Sequence, residues 1–105
     1  MIDREKLPDL FDGNARIIGG REDEYLKFER VEKKLCGRPD LNAFMLLEQL
    51  APGEKDLIGC AEHDIIYLDV DLDKLCENIT EEQIVELRRC GIMYDDDNDC
   101  LSMFA

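Results

Sequence analysis

Residues 64–70 constrain the fold of this chain more than any other segment. Ile65 and Tyr67 alternate with Ile66 and Leu68, so an extended backbone would project apolar side chains on both of its sides. A strand with one face in solvent alternates apolar with polar residues, and this segment does not. It is therefore predicted to be a strand in the interior of a β-sheet.

Two further strands are predicted near the end of the sequence, at residues 92–95 and 100–104. The acidic run from Asp95 to Asp99 lies between them and suits the loop of a hairpin. With residues 64–70 they predict a small three-stranded, mostly antiparallel sheet. Four to five helices are expected to cover this sheet, and the fold class is α+β.

Two helices are predicted between the first strand and the hairpin. Asp71 or Asp73 is expected to start the shorter one. The sequence Thr-Glu-Glu-Gln that follows has the form of a capping box, in which Thr80 is the N-cap and Gln83 reaches back to the backbone. The capping box predicts a second helix over 81–90.

The first half of the chain carries three more helical patterns, over 22–36, 41–50 and 54–62. The first is amphipathic, and Gly37 follows it as a stop signal. The second is apolar nearly all round, with Asp40 as a candidate cap, which is typical of a core helix or of an interface. In the third, a glycine weakens the helical pattern.

Residues 1–20 are predicted to form an N-terminal arm with a possible short edge strand at 15–18. Leu7, Leu10 and Phe11 are the side chains expected to dock this arm on the body of the protein. The whole chain, 1–105, fits one domain, because this length is close to the commonest domain size.

Charge is distributed unevenly along the sequence. The net charge of −13 comes from 26 acidic and 13 basic residues. Residues 62–105 contain thirteen of the acids and only three bases, Lys74, Arg88 and Arg89. Such a field repels nucleic acid and anionic membrane and attracts basic protein surfaces. With no membrane-length apolar run and no signal-peptide pattern, a cytoplasmic location is expected.

No pattern in the sequence predicts catalysis, a cofactor or a metal. The five cysteines show no close C-x-x-C pair and are interpreted as reduced thiols. Cys60 and His63 have a zinc-like spacing but lack two further ligands. The Asp-rich start at residues 69–73 resembles a calcium loop, yet Lys74 and Thr80 occupy the positions that require glycine and glutamate. A non-enzymatic protein is therefore predicted.

The leading hypothesis is a protein-binding module that docks its acidic half on a basic partner, such as a nucleic-acid-binding protein. A sharper version is an inhibitor whose carboxylates mimic nucleic-acid phosphates. By size and charge alone it is analogous to phage anti-defence proteins. The helix–helix–hairpin order of a winged helix-turn-helix is present, but its acids argue against direct nucleic-acid binding. The predicted partner-binding residues are Asp69, Asp71, Asp73, Glu77, Glu81, Glu82, Glu86, Asp95, Asp96, Asp97 and Asp99.

The alternative hypothesis is a structural subunit that self-assembles through the apolar helix 41–50. A homodimer is the simplest symmetric arrangement of that kind. Its contact residues would be Tyr25, Phe28, Leu41 and Met45. The two hypotheses concern different halves of the chain and are compatible.

Overall fold

A computed structural model of the chain describes residues 1–12, 26–54 and 56–104. Within these ranges the chain forms four α-helices and one four-stranded antiparallel sheet, which confirms the α+β class. Short 3-10 turns lie at Arg4–Lys6 and Phe28–Arg30. The helices are α1 (Leu7–Asp12), α2 (Pro39–Leu50), α3 (Leu72–Asn78) and α4 (Glu81–Arg89), and the strands are β1 (Ile58–Glu62), β2 (Ile65–Leu68), β3 (Met93–Asp95) and β4 (Cys100–Phe104).

The sheet has the strand order β1-β2-β4-β3. The strand predicted at residues 64–70 is β2, and its interior position is confirmed. The predicted hairpin is also present as β3 and β4, with Tyr94 opposite Leu101 and Asp95 opposite Cys100. The sheet therefore contains the three predicted strands and one more, β1.

The helix predicted over 54–62 is wrong, because Ile58–Glu62 is a strand paired with β2. The two strands are joined by His63 and Asp64, whose φ angles of 52° and 64° are positive at both positions, as in the two-residue turns that are favoured in hairpins. Gly59 lies at a bulge in β1, a position where glycine is common, whereas it disfavours a helix.

The helix predicted over 22–36 is wrong in the part that the structure describes. From Leu26 onward the chain makes only one 3-10 turn, because the N–H groups of Leu35 and Cys36 do not bond back along a helix. The side-chain oxygen of Asn42 accepts both, at 2.6 and 3.3 Å. Asn42 is itself buried, so it fixes this segment against α2 as a loop. Residues 22–25 and the strand predicted at 15–18 lie outside the described residues.

The remaining helices agree closely with the sequence. The helix predicted over 41–50 is α2, which begins two residues earlier, with Arg38 at its N-cap instead of Asp40. Asp71 caps α3, accepting a hydrogen bond from the Lys74 N–H at 3.1 Å. The capping box of α4 is complete and uses Thr80 and Gln83 as predicted.

The three side chains expected to dock the N-terminal segment lie in α1 and are buried. Leu7 and Phe11 are fully buried and Leu10 nearly so. The Arg88 side chain, at the end of α4, donates a hydrogen bond to the Phe11 carbonyl oxygen. The arm is thereby joined to the helical layer by both apolar packing and a buried polar contact.

The two faces of the sheet differ in what lies on them. One face presents Leu68, Tyr94 and Leu101, which join the helical side chains in one buried cluster. The strand registers place another set of side chains on the opposite face, where Ser102 is buried and Phe104 is exposed. This second face, here named the open face, comprises Cys60, Glu62, Ile65, Tyr67, Met93, Asp95, Cys100, Ser102 and Phe104.

Candidate protein-binding surface

Arg4 connects the start of α3 with the turn of the β3–β4 hairpin. Its guanidinium lies 3.1 Å from an Asp99 carboxylate oxygen and 3.9 Å from one of Asp73. The side chains of Asp73 and Asp99 remain 86% and 69% exposed, so both are available to other molecules despite the contact. Two predicted acidic segments that are distant in sequence are therefore neighbours in space.

The first residues of the chain extend this region along α3 toward α4. The Ile2 N–H donates to the Cys76 carbonyl oxygen at 2.8 Å, near the end of α3. Met1 and Ile2 line one shallow depression with Asp73 and Glu77, and a second one with residues 80–82. The exposed carboxylates that share this region are here named the acidic surface. It comprises Asp71, Asp73, Glu77, Glu81, Glu82, Asp96, Asp97 and Asp99.

Asp95 orders the turn that presents part of the acidic surface. One of its carboxylate oxygens accepts the backbone N–H groups of Asp97 and Asn98, at 3.0 and 3.2 Å. The other accepts the Asn98 side-chain amide at 3.0 Å. These bonds, the side-chain amide first, lower the pKa of Asp95. Asp95 is half-buried and holds the turn, which leaves Asp96 and Asp97 exposed at its tip.

Tyr94, a buried residue of β3, contacts the same turn from the core side. Its hydroxyl donates to Asp99, and its ring lies 6.4 Å from the ring of Phe11 in α1. Arg4 covers the ring with its guanidinium carbon 5.8 Å from the centroid, a cation–π arrangement. Burial, with the Asp99 bond second, raises the pKa of Tyr94, while the hydrogen bonds from Tyr94 and Arg4 lower that of Asp99. The phenol thus stays a donor and the carboxylate an acceptor.

Three of the predicted partner-binding residues lie away from the acidic surface or serve its framework. Asp95 belongs to the turn. Glu86 is half-buried beside Lys33 and Arg89, and burial is the main cause that raises its pKa. Asp69 is exposed at the end of β2, where its Cβ lies beside the backbone of Gly59. Eight of the eleven predicted partner-binding residues therefore belong to the acidic surface, and Asp69, Glu86 and Asp95 do not.

The predicted self-association residues fall into separate places. Leu41 and Met45 are one turn apart on α2 and are 43% and 44% exposed. Phe28 is half-buried, packs against the core, and has the Lys34 ammonium 5.1 Å from its ring centroid. Tyr25 lies outside the described residues. Of the predicted self-association residues that the structure describes, Leu41 and Met45 are the two that are exposed and adjacent.

The cysteines and the single histidine lie on separate elements of the described structure. All five cysteines are free thiols, and burial raises the pKa of Cys76 and Cys90. His63 is exposed in the β1–β2 turn. Among residues 1–12, 26–54 and 56–104, no group of three or more Cys, His, Asp or Glu side chains is placed to hold a metal ion. In the same ranges no helix has both the length and the apolar character needed to cross a membrane.

Sequence reasoning missed Arg4 and Tyr94, the two residues that join the acidic segments. Arg4 and Asp99 are 95 positions apart, and no local spacing indicates their contact. No family model, no curated protein and no solved structure matches this chain. The acidic surface is therefore interpreted from its own geometry.

Proposed function

We propose that the protein is a non-enzymatic binding module that docks its acidic surface on a basic surface of another protein. The observation that carries this proposal is the placement of Arg4. Carboxylates from α3 and from the hairpin turn converge on one guanidinium that also lies over an aromatic ring. An arginine or lysine of a partner protein could form the same kind of charge-assisted hydrogen bond with the carboxylates of the acidic surface that remain exposed.

The backbone that carries these carboxylates is restrained by its own hydrogen bonds. Asp71 caps α3, the capping box fixes the start of α4, and Asp95 closes the turn. A restrained acidic surface loses less conformational entropy on binding than a mobile acidic tail does. This supports specific docking over a purely solubilising role for the charge.

A sharper version of the proposal is inhibition by nucleic-acid mimicry. In this version the acidic surface occupies the phosphate-binding groove of a nucleic-acid-binding protein, in the manner of phage anti-defence inhibitors. Its support is the charge of the region and the presence of carboxylates on three separate elements. Duplex DNA would then compete with the protein for the same partner.

The test uses two variants that remove equal charge from different places. Asp96→Asn/Asp97→Asn changes exposed acids of the turn that do not supply its closing carboxylate. Glu29→Gln/Glu48→Gln changes exposed acids elsewhere and is the matched control. We expect immobilised wild-type protein to retain a discrete basic protein that moderate salt releases.

The Asp96→Asn/Asp97→Asn variant should lose most of this retention, and the control variant should keep it. If the two variants retain the same amount of the basic protein, the acidic surface does not bind it specifically and serves only to keep the protein solvated. Elution of the retained protein by duplex DNA would favour mimicry, and failure of DNA to elute it would exclude that version.

A second candidate function, self-assembly through α2, is favoured by the exposed pair Leu41 and Met45. A dimer would bury both side chains against their copies. Sedimentation of the wild type and of a Leu41→Gln/Met45→Gln variant tests it over a range of concentrations. A concentration-dependent mass that the variant abolishes supports self-assembly, and a constant monomer mass excludes it.

A further inference from the structure

Among the described residues, β1 is an edge strand of the sheet and has no strand on its outer side. It pairs with β2 on one side, and all five of its residues are exposed, including Ile58 at 45%. Proteins commonly protect such edges with proline, several charges or a covering segment. β1 has no proline and one charged residue, Glu62, and its bulge at Gly59 leaves the stretch from Cys60 onward in regular pairing.

The hydrogen-bonding groups on the free side of β1 can be assigned from the hairpin geometry. A two-residue turn joins Glu62 to Ile65, and in such a hairpin this closing pair exchanges both of its hydrogen bonds. Bonded and non-bonded pairs alternate along an antiparallel ladder. The N–H and C=O of Ala61 therefore point away from β2, toward the position that an added strand would occupy.

The charges around β1 define what kind of strand can be added there. Asp56, Glu62, Asp64 and Asp69 are all exposed, and residues 54–70 contain five carboxylates and one lysine. In the symmetric antiparallel pairing of two copies about Ala61, the two Glu62 side chains would be diagonal neighbours on one face. Like charges at that distance destabilise pairing, so a second copy is disfavoured and a basic segment is favoured.

The open face continues from β1 into the sheet. Cys60 lies opposite Tyr67 in the β1–β2 register, and Phe104 at the end of β4 is 55% exposed. Burial raises the pKa of Tyr67, and the carboxylates of Asp95 and Glu62 add to this, so apolar and acidic groups lie together on this face. Side chains of an added strand would meet both kinds of group.

We propose that β1 is an edge-strand docking site for an extended segment of another protein that alternates apolar and basic residues. The added strand bonds to the main chain of Ala61, and its basic side chains pair with Glu62 and Asp64. This site lies on the opposite strand edge from β3 and uses other residues than the acidic surface, so it stands independently of the function proposed above.

The experiment uses a synthetic peptide of alternating valine and lysine as the probe. Amide chemical shifts and hydrogen exchange are followed by NMR on the full chain. We expect shifts at residues 59–62 and slower exchange of the Ala61 amide on binding. The Ala61→Pro variant removes the outward N–H and should weaken binding by about tenfold, the scale of one lost hydrogen bond. Ala61→Val keeps the N–H and should bind like the wild type.

Charge is tested with Glu62→Gln/Asp64→Asn, in which asparagine tolerates the left-handed turn position as well as aspartate does. This variant should bind the peptide more weakly and with less salt dependence, whereas Asp96→Asn/Asp97→Asn should leave binding unchanged. Thermal unfolding of each variant confirms that it is folded.

Three results would overturn the proposal. The first is that the wild type does not bind the peptide. The second is that the amide chemical-shift changes are confined to α3 and residues 96–99 and are not altered by Ala61→Pro. The third is that the amide shifts of β1 change with protein concentration in the absence of peptide. The last would assign the edge to a second copy of this chain.

Discussion

The two hairpins of the sheet have similar topology but differ in the side-chain contacts that restrain their turns. The β3–β4 hairpin is fixed at its turn by Asp95, from beneath by Tyr94, and from the side by Arg4. The β1–β2 hairpin ends in two exposed residues with positive φ angles, His63 and Asp64. Side-chain hydrogen bonds and an ion pair, in addition to strand pairing, therefore restrain the turn of the β3–β4 hairpin.

Burial follows the same division. Leu101 in β4 is fully buried and Ser102 is 4% exposed, whereas every residue of β1 is exposed. Because most of the stabilisation of a strand comes from the apolar area that it buries, β1 contributes little to the stability of the whole. We expect it to open locally more often than β4 does.

The largest expected effect comes from truncating one apolar residue in each hairpin. Leu101→Ala should lower the free energy of unfolding by about 2–5 kcal/mol, because it leaves a cavity in the core. Ile58→Ala in β1 removes a side chain that is 45% exposed and should cost about 1 kcal/mol or less. Urea unfolding followed by circular dichroism measures both. Equal losses would remove the distinction between the hairpins.

Thiol reactivity gives a second comparison of the same two hairpins. Cys60 in β1 is exposed, while Cys100 in β4 is half-buried, and burial, with Asp95 and Asp99 nearby, raises the pKa of its thiol. At neutral pH we expect Cys60 to be alkylated at least about tenfold faster than Cys100, because the thiolate is the reactive form. Peptide mass mapping over time checks this, and Cys60→Ser should abolish the fast reaction.

The smallest expected effect is on the acid side of the pH scale. The pKa of Asp95 is below its ordinary value of 3.8, so its contribution to stability is complete above that pH and is lost as the pH falls through the lowered pKa. NMR titration should therefore give the Asp97 and Asn98 amides a midpoint below 3.8. Asn98→Ala removes the main cause and should return the midpoint toward 3.8. An unchanged midpoint in the variant would show that the side-chain amide is not that cause.

The sequence predicted best where structure is determined locally. The capping box at Thr80 and Gln83 sets the start of α4, and the apolar residues on both sides of β2 place it inside the sheet. β1 was missed because its turn uses His63 and Asp64 without the glycine that usually signals a hairpin. Its apolar residues are also compatible with helical spacing.

Prediction of the candidate site was limited by contacts between distant parts of the chain. Exposure of Asp96 and Asp97 follows from their place in an acidic loop, but nothing local separates them from Asp95, which is used to close the turn. Arg4 is recruited by tertiary packing of the N-terminal arm. The failure of the predicted helix over 22–36 has the same origin, since Asn42 binds the N–H groups that the helix would have used.

Asn42 also bears on the order in which the chain folds. Its side-chain amide donates to the sulfur of Cys90 at 3.4 Å, 48 positions away, while its oxygen holds Leu35 and Cys36. Before α2 packs against α4, the Asn42 side chain is solvated. Its hydrogen bonds to the N–H groups of Leu35 and Cys36 are then no more stable than their hydrogen bonds to water. The loop before α2 is therefore expected to acquire its structure after the transition state for folding, as a late step that depends on contacts already made.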